Sequence, residues 1–131
     1  YRVFDCNRSK YGQARPLHID KALDFINFDQ CQPGLCQPEL VAETDGVRRF
    51  RLCHNNYFVT ERVELAAGAV YNGICDGRSL EIWGVIDGSA AINDVGLTAV
   101  RFALLPAALG RFAVTSPTNA PAVLLRTYVA A

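Results

Sequence analysis

The feature that most limits what this chain can fold into is a change of hydrophobic period. From residue 47 onward apolar and polar residues alternate in short runs: VRRFRLC, YFVTERVEL, SLEIWGVIDG, SAAIND, LTAVRFALLP, GRFAVTS and AVLLRTYVA. A strand turns successive side chains to opposite faces, so a period of two marks strands with one buried and one wetter face. Gly, Asn, Asp and Pro separate the runs, and an Asp-Gly pair joins SLEIWGVID to SAAIND in the manner of a tight hairpin. Short antiparallel strands punctuated in this way predict a sandwich or barrel.

Ahead of that region the period is different. PLHIDKALDFINF places Ile19, Ala22, Leu23 and Ile26 on one face at helical spacing, with Asp20, Lys21 and Asp24 largely opposite. Pro16 suits a first helical turn, so one amphipathic helix is expected over residues 16–27. The stretch DQCQPGLCQPELVAETDG, holding Pro33 and Pro38, reads as a connector without regular structure. The expected organisation is a linker strand, helix and connector over residues 1–46, then a barrel over 47–131. The fold class is mainly β.

A chain of 131 residues is long enough for one domain with its own core. Half of its residues are hydrophobic and 20% are charged, which is globular rather than disordered. Thirteen basic residues balance thirteen acidic ones, so no net field draws nucleic acid or an anionic membrane. The longest apolar run, FALLPAAL, is far too short to span a bilayer. Neither nucleic acid nor membrane is expected as a partner. The chain starts at Tyr1 and contains no Met, which reads as part of a longer protein.

Five cysteines (Cys6, Cys31, Cys36, Cys53 and Cys75) form an odd number at irregular spacing. Reduced thiols in a cytoplasmic protein are a better reading than a disulfide framework. CQPGLC could supply half a tetrahedral metal site, but only Cys53 and His54 offer themselves as the other half. Free thiols in a connector are the simpler account.

Two blocks of sequence resemble a known family. YRVFDCNR contains a Tyr-Arg pair and an aromatic-Asp-x-x-Arg pattern, and RPLHIDKALDFI continues with Leu-His-Ile-x-Lys-Ala-Leu. Together they resemble the segment that joins the two halves of bacterial type I mannose-6-phosphate isomerases. LEIWGVIDGSAAI and FALLPAALGRFAV…VLLRTYV are similar to that family's C-terminal cupin, while residues 29–75 match in pattern only. The resemblance implies an antiparallel jelly-roll (cupin) barrel preceded by the helix. It also implies an aldose-ketose isomerase that interconverts mannose 6-phosphate and fructose 6-phosphate through an enediol, with zinc positioning the sugar oxygens. The family's zinc ligands, a Gln, two His and a Glu, would all precede Tyr1. Zinc is therefore expected in a full-length enzyme and not in this fragment. The sugar phosphate would be met through the catalytic half, which this region would brace.

Metal-binding cupins place a His-x-His and a Glu on one strand pair and a further His after a Pro-x-Gly turn. Residues 73–88 contain no His, and in PAALGR, Arg111 stands where that last His is expected and Ala108 where the Gly is. A guanidinium stays protonated and cannot ligate zinc. Arg2 is the catalytic candidate, since the resemblance implies an arginine facing the substrate, able to steady enediolate or phosphate charge. An ordinary solvated terminal arginine is the competing account. Arg8 is a weaker second candidate. His18 reads as a helix-start residue, Lys21 as a solvated helix position, His54 as an exposed turn, and Trp83 as core or barrel lining. Two other functions are compatible with the sequence: a non-catalytic carbohydrate-binding or structural cupin, and the cupin of a sugar-nucleotide enzyme.

Overall fold

A computed structural model describes residues 1–6, 9–30 and 34–129. The chain divides into two units, residues 1–35 and 36–131. In the first, β1 (Ser9–Lys10) and β2 (Gln13–Ala14) form a minimal antiparallel ribbon. Tyr11 and Gly12 turn between them, both at positive φ, as a two-residue hairpin turn requires.

The helix α1 covers only Ile19–Leu23, much less than the expected 16–27. His18 at its N-terminus makes no side-chain cap, and the Phe25 and Ile26 amides both return to the Ala22 carbonyl, which tightens and ends the last turn. Of the apolar stripe only Ala22 is buried; Ile19, Leu23 and Ile26 stay about half exposed. A stripe that buries so little cannot offset the cost of starting a longer helix.

The second unit is built of β3 (Glu39–Thr44), β4 (Val47–His54), β5 (Val59–Leu65), β6 (Val70–Cys75), β7 (Glu81–Asp87), β8 (Ser89–Ile92), β9 (Val95–Thr98), β10 (Phe102–Leu105), β11 (Gly110–Thr115) and β12 (Ala122–Tyr128). They form a six-stranded sheet in the order β10-β7-β12-β5-β4-β3 and a four-stranded sheet in the order β6-β11-β8-β9, with every pairing antiparallel. The mainly β, antiparallel expectation holds. Alternation does the work: β5 buries Val59, Glu61, Val63 and Leu65 and leaves the residues between half exposed. Val63, Leu65, Trp83, Val85 and Leu124 from one sheet meet Ile92, Phe112 and Val114 from the other in a single core.

Three details of the sequence reading are corrected. β3 lies inside the supposed connector, on the sheet edge, and pairs with β4 around a tight Asp45-Gly46 turn whose two residues have positive φ. Pro38 immediately before it is compatible with an edge strand, which has no ladder bond to lose there. β7 and β8 are not a hairpin. The chain crosses from one sheet to the other at Gly88, whose φ of +75 and approach to the Pro121 carbonyl leave no room for a side chain. LTAVRFALLP likewise divides between the two sheets, breaking at Val100, a β-branched residue at φ +64.

Candidate functional site

The short N-terminal elements bring four of the motif residues together. Arg2 and His18 are tied through the backbone, with the His18 amide donating to the Arg2 carbonyl at 2.7 Å. The Arg2 amide in turn donates to His18 Nδ1 at 3.3 Å. The Arg2 guanidinium donates to the Pro16 carbonyl at 2.9 Å and lies 3.7 Å from the Asp5 carboxylate. Arg15 grips the same carboxylate in a forked contact, its Nε at 2.7 Å from Oδ2 and its Nη2 on Oδ1. Hydrogen bonding by Arg15 holds the Asp5 carboxyl below the usual range, against some desolvation and with help from the charges of Arg15 and Arg2. Tyr1 stacks on Phe25 at 5.4 Å. Arg2 is thus a held side chain rather than a frayed one. Arg15, which the sequence reading passed over, holds the carboxylate that Arg2 faces. Arg8 lies outside the described residues. Lys21 is exposed.

The barrel interior holds a second, larger polar group. Glu61 on β5, Glu81 on β7 and Arg126 on β12 occupy the inward phase of three adjacent central strands, where neighbours such as Val63, Val85 and Leu124 are apolar. Both carboxylates are almost fully buried. Arg126 donates Nε to Glu81 Oε2 at 2.8 Å, Nη2 to Glu81 Oε1, and Nη1 to Glu61 Oε2 at 3.2 Å. The Trp83 indole donates to Glu81 Oε2 at 2.8 Å, and the Tyr128 hydroxyl lies 3.4 Å from Glu61 Oε1. The guanidinium also stacks over the Tyr128 ring at 4.2 Å. Trp83 is therefore core, packed against Tyr71 and Phe112.

Arg49 on β4 approaches Glu61 through its buried Nε at 3.7 Å, an ion pair too long for a hydrogen bond. Burial alone would favour loss of the Arg126 proton, but the Glu81 hydrogen bonds and the charges around it prevail and raise its pKa. Burial pushes the Tyr71 and Tyr128 phenols up, against the pull of Arg126 and Arg49 and with Glu81 and Glu61 respectively adding to the rise. These groups escaped the sequence reading although a signal was present. Glu61 and Arg126 interrupt alternating apolar phases, Val59-x-Glu61-x-Val63 and Leu124-x-Arg126, so a buried charge of each sign was legible.

Among the described residues of this barrel, no group of His, Cys, Asp and Glu is placed to hold a metal ion. The two buried carboxylates are engaged by a guanidinium, and no imidazole joins them among the described residues. Arg111 is exposed on β11, and His54 is exposed at the end of β4 rather than in a turn. Cys6, Cys36, Cys53 and Cys75 carry free thiols; Cys31, and with it any pairing within CQPGLC, lies outside the described residues. Cys75 is buried and its thiol pKa is pushed up by that burial, with the Glu81 charge adding. No helix among the described residues is long and apolar enough to cross a membrane.

By sequence, no protein family and no characterised relative matches the chain. Solved structures do. The mannose 6-phosphate isomerase of Bacillus subtilis superposes with a TM-score of 0.70 and 22% identity, covering 97% of this chain and 39% of that one. An RmlC-like cupin from Shewanella frigidimarina gives 0.60 and 22% identity over 72% of this chain and 86% of that one. A sugar phosphate isomerase of the cupin superfamily from Silicibacter pomeroyi gives 0.57 and 19% over 76% of each. The fold is a cupin.

Proposed function

We propose that this chain is the C-terminal cupin region of a zinc-dependent mannose-6-phosphate isomerase of the cytoplasm, bracing an active site whose metal ligands lie outside it. The observation that carries the reading is the Bacillus isomerase, which accommodates 97% of the chain within 39% of its own length. Support comes from residues on which the resemblance rests, because Arg2 bonds to His18 and lies 3.7 Å from Asp5. Arg2 is the residue that meets the sugar phosphate. Its positive charge steadies the negative charge that develops on the substrate oxygen as the carbon-bound proton leaves. The buried acids are held by Arg126 and serve the barrel rather than proton transfer.

The test uses mannose 6-phosphate with the chain alone and with a full-length protein that supplies the Gln, His and Glu ligands. The chain alone should form no fructose 6-phosphate, and the full-length protein should do so with a zinc requirement. Arg2→Ala in that protein should lower turnover roughly a hundredfold, the usual loss for one charge-stabilising donor, without changing zinc content. Zinc-dependent turnover by residues 1–131, or normal turnover by the variant, overturns the reading. A second reading, a non-catalytic carbohydrate-binding cupin, is favoured by the closed Glu61–Arg126–Glu81 network, and it predicts an upstream segment without those ligands.

A further inference from the structure

Beside the buried network, between β4 of one sheet and the β6 edge of the other, the barrel opens into a hollow of about 250 Å³. Arg49, Tyr71, Asn72, Arg111 and Arg126 line it, and no carboxylate does. Its electrostatics are unbalanced in a specific way. Glu61 and Glu81 are matched by Arg126 and Arg49, whereas Arg111 has no ion-pair partner among the described residues. Arg49 leans on Glu61 through its buried Nε at 3.7 Å and also lines the hollow. The hollow therefore presents guanidinium donors and an amide to a ligand that would have to bring the acceptors. Overall charge does not explain this, because the chain as a whole is neutral.

A second hollow of about 270 Å³ shares Arg49, Tyr71 and Asn72 with the first and is edged by Thr44 and Asp45. That carboxylate and hydroxyl can accept hydrogen bonds from alcohol groups, and the Tyr71 ring between the two offers an apolar edge.

We propose that this paired hollow is a binding site for a small organic oxyanion, a phosphate or carboxylate carried on a hydroxylated carbon skeleton. The oxyanion lies between Arg49 and Arg111, the fork geometry of each guanidinium suiting two acceptor oxygens, and the hydroxyls reach toward Thr44 and Asp45. The site belongs to the barrel alone and does not depend on the isomerase reading.

The test titrates the intact chain, by calorimetry and by amide NMR shifts, with inorganic phosphate, with gluconate, and with uncharged sorbitol. Both anions, or one of them, should bind and move the Asn72 and Arg111 signals, identifying the oxyanion the site takes. Sorbitol should bind at least tenfold more weakly, and added salt should weaken the anions. Arg111→Ala, an exposed position whose loss leaves the core intact, should weaken anion binding about tenfold, the loss of one charge-assisted contact. Arg78→Ala, at another exposed arginine, should change nothing. Absence of binding by both anions at concentrations on the order of 10 mM overturns the proposal. So does sorbitol binding as tightly as gluconate, or unchanged anion affinity in Arg111→Ala.

Discussion

The chain contains two arginine–carboxylate clusters that are alike in chemistry and opposite in setting. Around Asp5, two arginines converge on one carboxylate from chain outside the regular elements, with solvent close by. Around Arg126, two carboxylates converge on one arginine from the middle of a six-stranded sheet, with Trp83, Tyr71 and Tyr128 closing over it. The first cluster is only part-buried, with its arginines about a third exposed, so removing a partner leaves a charge that water can still reach. The second was desolvated as the barrel closed, so removing a partner strands a buried charge. Identical bonds thus set local order in one region and the integrity of the fold in the other.

The largest effect expected from this difference is at Arg126. Arg126→Ala leaves Glu61 and Glu81 buried without a cation and should cost about 3–5 kcal/mol in urea unfolding, enough to unfold a domain of ordinary stability. The combined replacement Glu61→Leu, Glu81→Gln and Arg126→Met removes the three mutually bonded charges while keeping an acceptor for the Trp83 indole, and leaves Arg49, whose side chain is 29% exposed, within reach of water. It should recover most of that loss, because apolar groups of similar volume commonly replace a buried ion network at little cost. A triple variant as unstable as the single one would mean that packing, not uncompensated charge, makes Arg126 indispensable.

A smaller effect tests whether packing fixes the barrel cluster in place. Gly73 on β6 lies under the Phe112 ring, and a Cβ there would overlap it. Phe112 is buried against Trp83 and Tyr71 and has nowhere to go. Gly73→Ala should cost about 1–3 kcal/mol by overpacking. Gly84 looks equally intolerant beneath Phe102, yet that ring is 64% exposed and can swing into solvent, so Gly84→Ala should cost distinctly less. Equal urea midpoints for the two variants would contradict this account of the interior.

What the sequence disclosed follows the same division. Alternation in YFVTERVEL and AVLLRTYVA placed β5 and β12 because each has a dry face, and dry faces leave a period, whereas β4 alternates in sequence with only Val47 buried. The helix was overestimated because periodicity in PLHIDKALDFINF records an apolar face, not whether anything covers it. Sheet membership was hidden for the same kind of reason. Asp87-Gly88 looks like a hairpin turn locally, and only the packing of Gly88 against Pro121 sends the chain to the other sheet. The family-like motif pointed to Arg2, but the Arg15–Asp5 pair was hidden, since nothing in spacing alone ties residue 15 to residue 5. The buried network needed a question about phase that hydrophobic counting does not ask.

Alkaline pH gives a subtler probe of the barrel cluster. Tyr71 and Tyr128 hold their protons more tightly folded than unfolded, so their contribution is complete below the ordinary phenol value near 10 and is lost as pH rises through the raised folded values. Urea midpoints should therefore decline above about pH 10, and the decline should be shallower in Tyr71→Phe and Tyr128→Phe. A decline of the same slope in both variants would place its origin elsewhere.

The smallest effect expected is in the exposed cluster, and it is a change of titration rather than of fold. Asp5 has a lowered pKa, so its contribution to local order is complete above the usual carboxylate value near 4 and is lost as pH falls through the lower folded value. Carboxyl NMR should show Asp5 titrating below the ordinary aspartate range. Arg15→Ala should bring it up most of the way, because the forked hydrogen bond from Arg15 is the main cause of the depression. Arg2→Ala should raise it less, since at 3.7 Å Arg2 acts through charge alone. Moderate salt should reduce the Arg2 contribution before the Arg15 one, as screening weakens a solvent-accessible charge contact more than a direct hydrogen bond. If Arg2→Ala moved the Asp5 titration as far as Arg15→Ala, Arg2 would be a full partner of Asp5. Its guanidinium would then be committed to holding the N-terminal turn rather than available to a sugar phosphate.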